Sequence, residues 1–89
     1  MALFEASQLD GSTRAAAGGS ADALYQLGLM YAAGRDVTMD LVTAHKWLNI
    51  AAARGNLDAR RMRTELSIEM SRAEIIEAQR QARQWMVRH

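Results

Sequence analysis

Few side chains in this sequence are of types that do chemistry, and they are poorly placed to do it together. The two histidines, His45 and His89, are far apart, and cysteine is absent. A metal centre needs several ligands converging at fixed distances. Asn49 stands one helical turn after His45, where a second ligand would be expected. His45 is therefore read as a surface or groove histidine. No nucleophile with an attendant base stands out, and no pair of catalytic carboxylates does. Gly18-Gly19-Ser20 precedes a helical stretch, and helix N-termini attract phosphate. Without a preceding strand or a lysine, the triplet reads as a chain break followed by a cap. These residues predict a protein that is not an enzyme and takes no cofactor or metal.

Arginine is the one abundant functional type. Residues 54–89 hold eight basic and five acidic side chains, a net +3, whereas residues 1–53 carry −2. Basic patches give salt-sensitive affinity for phosphate. A small basic helical protein that binds nucleic acid through Arg54, Arg60, Arg61, Arg63, Arg80, Arg83 and Arg88 is thus the alternative reading. Against it, Asp58, Glu65, Glu69, Glu74 and Glu77 are interspersed. Asp58–Arg61, Arg61–Glu65 and Glu77–Arg80 are spaced for pairing along a helix, which describes a mixed, solvated face. A helix-turn-helix module joins its helices by three or four residues, and the break at 34–39 is longer.

The elements that position these groups are helical. Proline is absent, and Ala, Leu, Met, Gln, Arg and Glu are common, which favours helix throughout. Residues 1–19 read as a helical or partly disordered leader, with Leu3, Phe4, Ala6 and Leu9 offering apolar surface. Ser20 caps a helix at about 21–33, on which Leu24, Leu27, Gly28 and Tyr31 share a face. Gly28 lacks a Cβ and so admits a close neighbour. Gly34 ends that helix, and Val37 anchors the following loop between the two helices. Asp40 caps a second helix at about 41–54, with Ala44, Trp47, Leu48 and Ala51 on one face. Alanines opposite Gly28, with Trp47 as the bulky filler, are expected to make a close antiparallel pair. Gly55 ends this helix, and Asn56 caps a third at about 57–69. Ser71-Arg72-Ala73-Glu74 is a capping box. It opens a fourth helix at about 72–87, whose apolar face is Ile75, Ala78, Ala82, Trp85 and Met86.

A repeat underlies this order. Gly19, Asp22 and Ala23 return as Gly55, Asp58 and Ala59, a period of 36 residues built from a helix pair, as in α-solenoids. The full series is Ala23, Leu27, Gly28, Met30, Tyr31, Gly34, Val37 and Asp40, then Ala44, Trp47, Ala51, Ala52 and Gly55-Asn56. It resembles the Sel-one-like repeat family, a relative of the tetratricopeptide repeat, over one full repeat (20–55) and the start of a second at Ala59. The run A-Q-x-x-A-R-x-W at 78–85 is similar to the helical tail of bacterial members. The resemblance implies an all-α, tetratricopeptide-like α/α superhelix and a non-catalytic adaptor that offers a groove to a protein partner.

Arg63, Thr64 and Ser67 fall where the repeat had Leu27, Gly28 and Tyr31. The array is therefore expected to end there in a polar face, with residues 56–89 as a diverged repeat helix and a capping helix that covers the last open side. Asp22, Tyr25, Gln26, Leu29 and Ala33, opposite the packing face of the first repeat helix, are the candidate partner contacts. So short an array also suggests a homodimer. Some secreted relatives are cysteine-rich and this chain is not, and its first residues do not read as a signal peptide. No apolar run is long enough to span a membrane. A cytoplasmic location is expected.

Overall fold

The computed structural model describes residues 20–89, so the expected leader at 1–19 lies outside the described residues. Four helices follow one another: α1 (Ala21–Ala33), α2 (Leu41–Ala53), α3 (Leu57–Ile68) and α4 (Arg72–Arg88). Among the described residues there is no strand, and the class is all-α.

Local side-chain chemistry sets the helix starts. Ser20 Oγ accepts from the Ala23 N–H at 3.1 Å, Asp40 Oδ1 from Thr43 at 3.1 Å, and Asn56 Oδ1 from Ala59 at 2.7 Å. At α4 the exchange is reciprocal: Ser71 Oγ accepts from Glu74 N–H, and a Glu74 carboxylate oxygen accepts from Ser71 N–H. Each such cap satisfies an otherwise orphaned amide and contributes about 1 kcal/mol. The first two helices stop alike. Gly34 takes φ +69°, and the Arg35 N–H reaches back to the Met30 carbonyl. Gly55 takes φ +102°, and the Asn56 N–H reaches the Ala51 carbonyl. Left-handed backbone of this kind favours glycine. Past Gly34 the loop is drawn in by the Asp40 N–H on the Tyr31 carbonyl, with Val37 half-buried.

Helix α2 is the centre, and the other three all pack against it. On the α1 side, Leu24 and Leu27 are fully buried, and Gly28 meets Leu48. A Cβ at Gly28 would stand 2.7 Å from Leu48 Cδ2 and 3.3 Å from the Ala44 carbonyl oxygen. The filler against Gly28 is therefore Leu48, not Trp47 as the sequence suggests. One residue is a 100° rotation on a helix, and Trp47 is turned toward α4. There it meets Trp85 edge to face, with ring centroids 5.4 Å apart.

Helix α4 closes on α2 through Ala78 and Ala82, both fully buried. The expected cap over the last open side seats on α2, and α3 and α4 scarcely touch. The alanine face of α4 and its Trp85 instead take the flank of α2 that Trp47 occupies. This leaves Leu57 and Ile68 exposed on α3, and Ile76 and Val87 exposed on α4.

Candidate functional site

The residues expected to meet a partner have two different fates. Asp22, Gln26 and Ala33 are exposed on α1, while Tyr25 and Leu29 are half-buried. Asp22 is engaged: Asn56 Nδ2 donates to its Oδ1 at 2.9 Å while Asn56 Oδ1 caps α3. Asp22 thus ties the first turn of α1 to the start of α3, which is a structural task. Tyr25 rests partly on the core. The outward ridge of α1 is then Tyr25 and Leu29, one turn apart, flanked by Gln26 and Ala33.

The repeat-signature residues are consumed by packing and turns. Leu27, Gly28, Ala44, Trp47, Ala51 and Ala59 are buried, and Ala23 and Tyr31 are half-buried. Gly34, Asp40 and Gly55 shape helix ends. Burial, and then the Asp40 carboxylate, push the Tyr31 phenol above its ordinary value.

His45 is not a surface histidine. It is 2% exposed, and its Nε2 lies 2.9 Å from Ser67 Oγ. The Ser67 hydroxyl also sits 2.9 Å from the Arg63 carbonyl, to which it donates. A hydroxyl has one hydrogen, so both contacts are satisfied when His45 Nε2–H donates to Ser67. The buried Nδ1 is then a bare lone pair, and it has no partner among the described residues. Burial first, and then the nearby Arg63 charge, hold the His45 pKa below its ordinary value. Beside it, Arg63 Nη1 donates to Asn49 Oδ1 at 2.6 Å. Arg63 and Ser67 were expected on a polar outer face. They are instead half-buried against α2, and only Thr64 of that trio is exposed. Two polar pairs, His45/Asn49 and Arg63/Ser67, each one turn apart on neighbouring helices, were the available signal. A reading built on apolar periodicity passes over them.

Four of the candidate arginines have partners within the molecule. Arg63 is bonded to Asn49, and Arg54 lies over the Trp85 ring at 5.2 Å. Arg61 pairs with Asp58 at 3.8 Å in place of Glu65. Arg80 grips both Glu77 carboxylate oxygens, at 2.9 and 2.6 Å. Hydrogen bonds from Arg80 and from Gln81 hold the Glu77 carboxyl down at about 2. Among the described residues, no group of three or more His, Asp or Glu converges as metal ligands, and no helix is long and apolar enough to cross a membrane. No family model, curated protein or solved structure matches this chain.

Proposed function

We propose that this chain is a non-catalytic protein-interaction adaptor of the Sel-one-like, tetratricopeptide-like kind. It works in the cytoplasm and presents the outer ridge of α1 to a protein partner. The observation that carries this reading is the state of Tyr25 and Leu29. They are apolar, one turn apart and only half-buried, on the same helix whose Leu24 and Leu27 are fully buried against α2. Exposed Gln26 and Ala33 flank them. An apolar spot with polar edges suits the apolar face of an amphipathic helix, whether from another protein or from a second copy of this chain. The parcelling of Arg54, Arg61, Arg63 and Arg80 among intramolecular partners is the reason an adaptor is preferred to a nucleic-acid binder.

The test is affinity capture with the wild-type chain beside Leu29→Arg and Tyr25→Ala/Leu29→Arg. Helix content by circular dichroism and mass by light scattering are read in parallel. The expected result is a specific protein partner lost by both variants at unchanged helicity. Equal recovery on all three chains would reject the ridge as the binding surface.

A further inference from the structure

Between α2 and α4 lies an open concavity of about 350 Å³. Lys46 comes from α2; Arg80, Gln81, Gln84, Trp85 and Arg88 come from α4, and His89 follows it. Its charges are unevenly committed. Arg80 is neutralised by Glu77. Lys46 and Arg88 have no ion-pair partner among the described residues, where the two ion pairs are Arg61–Asp58 and Arg80–Glu77. Lys46 is half-buried, with Nζ 4.4 Å from the centroid of the Trp47 ring, and this burial lowers its pKa. The Trp47 ring offsets part of the desolvation of this cation, and an anion would offset more.

The aromatic element is equally specific. The His89 imidazole stacks on Trp85 at 4.1 Å and 10° between planes, steadied by Nδ1–H on the Trp85 carbonyl at 2.9 Å. One face of Trp85 therefore accepts a flat ring, and an exposed side chain fills that place. Gln84 stands beside it, exposed and with its amide unused by the described residues.

We propose that this groove binds an acidic peptide segment carrying an aromatic side chain. Its carboxylates pair with Lys46 and Arg88, its ring displaces His89 from Trp85, and Gln84 bonds its backbone. A polyphosphate chain fits less well. Nucleic-acid backbones are held by a run of cations, whereas the groove offers two that are unpaired among the described residues, Lys46 and Arg88. At its wall the Glu77 carboxylate accepts from Arg80 and Gln81, which takes Arg80 out of the count of free cations. Two unpaired cations suit a segment with two carboxylates. This site is separate from the α1 ridge and does not depend on it.

Fluorescence anisotropy of the full chain with a short labelled peptide of Glu, Asp and one Phe tests the proposal, with tryptophan emission followed in the same titration. Saturable binding that perturbs the emission and weakens with salt is expected. Lys46→Gln and Arg88→Gln should each weaken it roughly fivefold, the upper range for a partly exposed ion pair. Leu29→Arg should leave it unchanged, which separates failure here from failure of the ridge. Arg88 is exposed, so its variant reads the site without disturbing the fold. Absence of saturable binding overturns the proposal, as does wild-type affinity retained in both charge variants or preference for single-stranded oligothymidylate over the peptide.

Discussion

Where α1 meets α2, the contact is made by Leu24, Leu27 and a glycine that receives Leu48; where α3 meets α2, it is made partly by His45 on Ser67 and Arg63 on Asn49. The same central helix is thus gripped by dispersion on one flank and by directed hydrogen bonds on the other. The positions correspond, since Arg63, Thr64 and Ser67 follow Leu27, Gly28 and Tyr31 by the 36-residue period. The change of residue type at these positions did not remove the contact with α2. It changed the contact's chemistry, and with it the conditions to which the contact responds. An apolar seam is sensitive to volume and indifferent to pH, whereas a polar seam depends on every partner being present and correctly protonated.

The largest effect is expected on the apolar side. Leu48 is fully buried, and Leu48→Ala should destabilise by about 2–5 kcal/mol, combining lost transfer energy with the cavity left behind. Gly28→Ala alone gains about 1 kcal/mol of helix propensity but drives a methyl into Leu48, which typically costs about 1–3 kcal/mol. A net loss is expected. In the Leu48→Ala background the same methyl enters vacated space, so Gly28→Ala should become neutral or stabilising. Urea unfolding of the four chains gives the coupling directly. Strict additivity would show that the close approach at Gly28 does not hold this seam together.

A smaller effect tests the polar side. Ser67→Ala leaves the buried His45 Nε2–H without an acceptor, at about 1–3 kcal/mol. Removing both partners in His45→Leu/Ser67→Ala leaves no orphaned group, so the double variant should recover much of the loss. If Ser67→Ala is silent and the double variant is worse, the hydrogen bond contributes nothing and the histidine is merely filling space.

These two seams also show what the sequence could reveal. The helix starts were legible because Ser20, Asp40, Asn56 and Ser71 act on amides three residues away. The α4 face was legible because Ala78, Ala82 and Trp85 share a helical stripe. The pairing of His45 with Ser67 was not, because a polar residue can serve solvent or a distant partner, and periodicity distinguishes neither. Nor was the choice of α2 over α3 as the seat of α4, since an alanine stripe names no neighbour. For the same reason Asp22 reads as a candidate partner contact, and only the third dimension places Asn56 against it. The groove at Trp85 needs Lys46 from a helix remote in sequence, so it had no local signature.

The last prediction separates the seams by pH. His45 is neutral and buried in the fold, with a pKa held below its ordinary value by burial and by Arg63. In the unfolded chain it titrates near about 6.5. As pH falls through that value, the unfolded state takes up a proton that the folded state refuses, so stability declines with falling pH. The decline begins near pH 6.5 and continues until the folded-state pKa is reached. Glu77, held at about 2 against an ordinary 4.5, has the same sign but acts only below about pH 4.5. The window from roughly pH 6.5 to 5 therefore reports mainly on the α2–α3 seam. Urea midpoints across it should slope downward toward acid in the wild type and in Gly28→Ala. They should be nearly level in His45→Leu/Ser67→Ala. A level wild-type profile would mean that the histidine is solvated in solution, and the contrast between the two flanks of α2 would then reduce to one of packing alone.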